Sequence, residues 1–165
     1  MRPHPVPAGE VTLRAWEPDE AGRYVRLRDD LVLRFTTETE QLGQGECRDD
    51  ITAALAHPDH APFAICDPEG RPVGNMAVLR RTETAEISYW LGAEARGRGW
   101  ATSALRAATE WVFGEWPVRV AELEIDVANE ASMRVAEAAG YRRRGTRIVS
   151  ACGGPAAIYR RSSPR

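Results

Sequence analysis

A chain of 165 residues, 43% apolar and 28% charged, has the length and composition of one globular domain around one core. Its net charge of −2 gives the whole molecule no attraction to nucleic acid or to an anionic membrane. No apolar run reaches the roughly 18 residues that a spanning helix needs. All 22 basic residues are arginine, so every fixed cation is a planar fork matched to phosphate or carboxylate. Cys47, Cys66 and Cys152 are widely spaced, odd in number and without a CxxC pair, which argues for a reducing compartment without disulfide or zinc. The proline-rich start, Met1 to Gly9, lacks the apolar centre of a secretory signal. A cytoplasmic protein is expected, with no metal.

Val11 to Trp16 alternates and predicts a strand. Pro18 suits a first helical position, with Asp19 and Glu20 in the first turn and Tyr24, Leu27 and Leu31 at helical spacing. Arg34 to Gly45 has no clear period and reads as a loop. A second helix carries Cys47, Ile51, Ala54 and Leu55 and stops before Pro58. The period then becomes two: Pro62 to Cys66, Val73 to Arg80 and Ala85 to Leu91 predict three strands, the first two joined by the turn Asp67-Pro68-Glu69-Gly70. Short turns make them an antiparallel meander.

A glycine-rich stretch, Gly92 to Gly99, precedes a helix whose buried face is Ala101, Leu105, Ala108 and Val112. Leu123, Ile125 and Val127 mark another strand. Asn129 suits an N-cap, Val135 and Ala139 face inward, and Gly140 closes that helix. Tyr141 to Val149 and Ala156 to Arg160 read as a closing hairpin around Gly153-Gly154. The order β-α-α-β-β-β-α-β-α-β-β defines an α/β chain with a single mixed sheet. Residues 1–10 are expected as a flexible tail, 11–161 as one domain and 162–165 as a C-terminal tail.

Gly97 and Gly99 permit positive φ and close backbone approach, and the following helix start offers free N–H donors and a positive dipole end. Arg96 and Arg98 add charge, so the loop suits a pyrophosphate. A P-loop would need a Gly-Lys-Ser/Thr ending, and there is no lysine. A dinucleotide fold would need GxGxxG early between parallel strands, where this chain has Gly97-Arg98-Gly99-Trp100-Ala101-Thr102 after a meander strand.

Tyr89-Trp90-Leu91-Gly92 followed by Arg96-Gly97-Arg98-Gly99-Trp100-Ala101 resembles the acetyl-CoA signature of the GNAT N-acetyltransferase superfamily, Gln/Arg-x-x-Gly-x-Gly/Ala at a strand-to-helix junction. Asn129, Ser132, Val135 and Gly140-Tyr141 resemble that family's Asn-x-x-Ser…Gly-Phe block. Leu13-Arg14-Ala15-Trp16 looks like the first strand of the RimJ/RimL-like branch, which acetylates N-terminal amines of ribosomal proteins. The resemblance runs from about Val11 to Arg160. It implies the acyl-CoA N-acyltransferase fold, a meander with a splayed cofactor cleft, and transfer from acetyl-CoA to a primary amine by direct attack in a ternary complex. It assigns cofactor contacts to Trp90, Leu91, Arg96, Gly97, Arg98, Gly99, Trp100, Ala101, Thr102, Asn129 and Ser132.

Three tasks remain: a neutral amine, a polarised carbonyl and a stabilised thiolate. The resemblance gives the carbonyl to backbone near Trp90 and Leu91. It makes Ser132 the proton donor, and a plain capping role stands beside that reading, as it does for Asn129. Other superfamily members carry a donor tyrosine seven residues after the asparagine, where this chain has Ala136. Glu86 is the candidate base, with Asp126 and Glu124 as rivals, and each also reads as a solvated strand-face charge. The branch's late glutamate has no counterpart among Arg142, Arg143, Arg144 and Ala151. His4, His57 and His60 fall in tail or loop contexts and read as poor bases. Acidic Glu38 and Glu40 in the Arg34 to Gly45 segment suit a cationic acceptor, either a peptide N-terminus or an aminoglycoside-like amine. The chain is expected as a monomer or homodimer with no nucleic-acid or membrane partner. The alternative is a CoA-binding sensor domain without catalysis.

Overall fold

The computed structural model describes residues 1–148 and 153–164. Among these residues eight strands form one sheet in the order β1-β2-β3-β4-β5-β6-β8-β7. They are β1 (Val6–Ala8), β2 (Val11–Ala15), β3 (His60–Cys66), β4 (Pro72–Arg80), β5 (Thr84–Leu91), β6 (Val120–Asp126), β7 (Arg142–Arg147) and β8 (Ala156–Ser162). The pairing is antiparallel except between β5 and β6, which a helical crossover makes parallel.

The alternation in the sequence sorts side chains onto two faces. Leu13, Phe63, Met76, Val78, Ile87 and Leu123 pack against α4 (Trp100–Glu115) and α5 (Glu130–Ala138). Trp16, Ala64, Cys66 and Trp90 pack on the other face against α1 (Ala21–Leu27), α2 (Asp30–Phe35) and α3 (Gln44–Ala56). Pro18 and its neighbours make a short 3-10 turn ahead of α1.

Several elements differ from the sequence reading. Val6–Ala8, taken as tail, is a strand pairing with β2, and Ser162 belongs to β8 rather than to a terminal tail. Asp30–Phe35 is a helix of its own. Arg28 is extended (φ −76°, ψ 125°), which resets the helical phase, and Asp29 then caps α2 by accepting from the Val32 N–H at 3.1 Å. The reset turns Leu31 outward, 50% exposed, and buries Val32. β3 starts at His60, two residues before the expected Pro62. The hairpin pairing joins Arg142–Arg147 to residues 156–160 of β8, while Val149, Ala151 and Cys152 lie outside the described residues.

Candidate active site

Among the described residues the sheet has one gap. β5 and β6 pair only at Thr84–Val120, Ala85–Ala121 and Glu86–Glu122. Beyond Glu86 the two strands diverge, although β4 holds β5 up to Leu91 and β8 holds β6 up to Asp126. Among the described residues, the β5 backbone from Ile87 to Leu91 therefore has no partner strand on one edge, a ready template for an extended ligand.

At the wide end of this wedge sits the glycine loop. Gly97 and Gly99 have φ of 75° and 77°, and Gly99 is the N-cap of α4. A Cβ at either would meet nothing within 4 Å, so the loop borders open space. The first turn of α4, Trp100 to Thr102, presents N–H groups without helical partners and the positive end of the dipole. Here the backbone fits a pyrophosphate.

The two arginines have separate surroundings. Arg96 makes two hydrogen bonds to Asp29, at 2.7 and 2.8 Å, and so ties the loop to the cap of α2. Those bonds hold the Asp29 carboxyl at about 2, below the usual carboxylate range. The Arg96 charge, read from sequence as directed at phosphate, is thus matched by a carboxylate. The Arg98 guanidinium lies 5.0 Å over the Trp100 ring, and Trp100 Nε1 donates to Glu10 at 3.2 Å.

Asn129 caps α5, its Oδ1 accepting from the Ser132 N–H at 3.1 Å. Ser132 is half-buried, and its Oγ faces the Tyr89 hydroxyl of β5 at 2.8 Å. Ala136 is fully buried, and Tyr141 packs in the core with its hydroxyl 2.6 Å from Thr109 Oγ1.

Glu86 lies at the narrow end of the wedge, on the face it shares with Ser88 and Trp90. Its Oε2 accepts from Arg81 at 3.1 Å, and its side chain is 49% exposed. Glu122 stands beside it across the parallel pair and accepts from Arg160 at 2.6 Å. Two like charges side by side in a ladder repel, and the two arginines offset that. The rivals are also engaged: Glu124 accepts from Arg147 at 2.5 Å and Asp126 from the Ala128 N–H at 2.8 Å.

On the face opposite α4, a cavity of about 310 Å³ is lined by Trp16, Tyr24, Glu38, Asp50, His60 and Asn75, among others. Trp16, Tyr24 and Trp90 form a ladder of edge contacts, each step 5.1 Å between centroids. Glu38 turns inward, as an acidic acceptor site requires, but it is already occupied: Tyr24 and Trp90 Nε1 donate to it, and Arg28 pairs with it in a nearly dry setting. Glu40 is exposed and does not line the cavity. The acidic side chain exposed at the cavity rim is Asp50.

His60 was missed by the sequence reading. Far from a loop, it opens β3 and lines the cavity, and burial lowers its pKa, with the chain's amino terminus and His57 adding to the shift. The signal was the two-residue period, which continues backward from Ala64 through Pro62 to His60. Among the described residues, no group of three or more His, Cys, Asp or Glu side chains is placed to hold a metal ion. No described helix is long and apolar enough to cross a membrane.

The fold is thus a mixed sheet with one wedge and a glycine-capped helix start at its mouth. The acetyltransferase (GNAT) domain family matches residues 10–142, and the chain belongs to that family. That makes it a GNAT-type acyltransferase with acetyl-CoA as co-substrate. No curated protein matches the chain in sequence. Among solved structures, RimJ of Mycobacterium smegmatis, in complex with CoA-disulfide, is 21% identical with a TM-score of 0.85, covering 98% of this chain and 88% of its own. RimL, a ribosomal L7/L12 alpha-N-protein acetyltransferase in complex with coenzyme A, is 17% identical with a TM-score of 0.83, covering 96% and 98%. The aminoglycoside acetyltransferase AAC(6')-Ib, in complex with coenzyme A and kanamycin, is 20% identical with a TM-score of 0.77, covering 92% and 94%.

Proposed function

We propose that the chain moves an acetyl group from acetyl-CoA to a primary amine within a ternary complex. The carrying observation is the single wedge in the sheet, with the glycine loop at its mouth and the aromatic, acid-rimmed cavity on the opposite face. In this reading Gly97, Arg98, Gly99, Trp100, Ala101 and Thr102 cradle the pyrophosphate, and Arg96 holds the loop in place. The free edge at Trp90 and Leu91 pairs with the pantetheine arm and polarises the thioester carbonyl. Asn129 fixes the α5 start beside the cofactor. The catalytic domain takes in the whole sheet, from β1 at Val6 to the end of β8 at Ser162, in the cytoplasm, and the branch is RimJ/RimL-like.

The neutral amine attacks the carbonyl carbon, a C–N bond forms, and the C–S bond breaks with its electron pair on sulfur. Glu86, four residues down β5 from Trp90, takes the amine proton through a chain of waters along the strand face it shares with Ser88 and Trp90, and Ser132 faces the thiolate. The acceptor is a peptide N-terminus or a small cationic amine.

A thiol-release screen with acetyl-CoA over free amines, aminoglycosides and short N-terminal peptides tests this. Acceptor-dependent release of CoA thiol is expected. Tight CoA binding with no release over the panel would replace the reading with a CoA-binding sensor domain. Glu86→Gln is expected to lower turnover at neutral pH by about 10²-fold, within the usual range for a general base, with CoA affinity unchanged. Unchanged turnover removes Glu86 from the role.

A further inference from the structure

Ser132 does not face the wedge alone. Tyr89 lies on the α4 side of β5, and its hydroxyl is 2.8 Å from Ser132 Oγ and 3.4 Å from the Ser132 carbonyl oxygen. The pair spans from the free-edged strand to the first turn of α5. Ser132 is also pinned through its N–H by Asn129. Two other helical hydroxyls are spent locally: Thr52 and Thr109 donate to carbonyls four residues back, at 2.8 and 2.7 Å. Ser132 sits in the first turn and has no helical carbonyl that far behind it.

We propose that Tyr89 is a positioning residue, donating to Ser132 Oγ and so turning the serine's own proton into the wedge, toward the sulfur of the departing coenzyme. This rests on the reading above, in which CoA occupies the wedge. A phenol is a stronger acid than an alcohol, so the phenol donates and the serine accepts. A hydroxyl has one proton and two lone pairs, and an oxygen that accepts from Tyr89 keeps its proton for another partner. Burial pushes the Tyr89 hydroxyl up to about 12, so it remains a donor across the working range and never serves as a base.

No proton leaves Tyr89. When the C–S bond breaks, the electron pair goes to sulfur and Ser132 Oγ–H hydrogen-bonds to the thiolate. The proton lost by the attacking nitrogen returns to sulfur through solvent. Such a donor stabilises charge that develops as the bond breaks, so it acts on kcat rather than on donor binding.

The decisive measurement needs no acceptor. The wild-type protein saturated with CoA is titrated by thiolate absorbance, and the same titration with S-methyl-CoA is subtracted to cancel the protein's own groups. The bound thiol is expected to ionise about one pH unit below free CoA, as a charge-assisted donor requires. Tyr89→Phe returns about half of that shift, and Ser132→Ala returns most of it. Once an acceptor is in hand, Tyr89→Phe lowers kcat about tenfold with the KM for acetyl-CoA within about twofold, and adds little to Ser132→Ala. A bound thiol that ionises alike in wild type and Tyr89→Phe overturns the role of Tyr89 and leaves the acetyltransferase reading standing. Absence of calorimetric CoA binding by wild type brings down both.

Discussion

Replacing Gly74 with alanine strikes the wall of the wedge without touching its open side. Gly74 lies on β4 directly opposite Leu91. A Cβ there would stand 2.4 Å from the Trp90 carbonyl oxygen, 2.7 Å from Leu91 Cδ2 and 3.1 Å from Leu91 Cα. Ordinary contact starts at 3.4 Å, so about an ångström must be found, and the nearest atom is main chain rather than a flexible tip. Overpacking costs about 1–3 kcal/mol, and rigid backbone puts this case near 3. For a domain of this size each kcal/mol moves Tm by about 2–4 °C, so a fall of about 6–12 °C is expected by circular dichroism. The displaced segment, Trp90 and Leu91, is the one assigned to the pantetheine arm, so calorimetric CoA affinity should fall about tenfold, or ~1.4 kcal/mol. A Tm within about 2 °C of wild type, with CoA affinity retained, would refute the reasoning.

Two further substitutions separate other terms. Gly45 is the second residue of α3, exposed, with nothing within 4 Å of an added Cβ, so Gly45→Ala should raise stability by about 0.5 kcal/mol in urea denaturation. Asp29→Ala removes the α2 cap, worth about 1 kcal/mol, and the half-exposed pair with Arg96, worth about 0.5. Because the Asp29 pKa is depressed, its share is fully present above the ordinary value of 3.8 and is lost as pH falls through about 2. Acid unfolding curves of wild type and Asp29→Ala should therefore converge below that pH. Curves that stay parallel would show that the pair contributes nothing.

The fold was legible where periodicity had length. The runs that became β3 and β4 are apolar and bounded by turn residues, β5 alternates buried with exposed positions, and α4 repeats its apolar face over four turns. The glycine loop was legible because its residue types are demanded by backbone geometry, and both of its glycines have positive φ. β1 was hidden because a three-residue strand beside prolines carries no period of its own and takes its shape from β2. α2 was hidden because an extended Arg28 breaks the phase, which no window average detects. Tertiary meetings were hidden for a different reason. Arg96 with Asp29, and Tyr89 with Ser132, join residues 67 and 43 positions apart, and no local pattern encodes such a partner. Glu38 showed its acidity in the sequence but not the arginine that occupies it.

The seam at Thr84–Glu86 gives the sheet a lever. Five strands from β1 to β5 form one laced plate, and β6, β8 and β7 form another. Three residue pairs join them at the end remote from the glycine loop. From Glu86 to Leu91 the strand rises about 17 Å, so a rotation of about 5° at the seam shifts the mouth by about 1.5 Å. The width available to an acyl donor therefore depends on the angle at the Glu86–Glu122 contact and its two arginines, far from the loop that would grip the donor, with the Tyr89–Ser132 bond as a second tie between the plates.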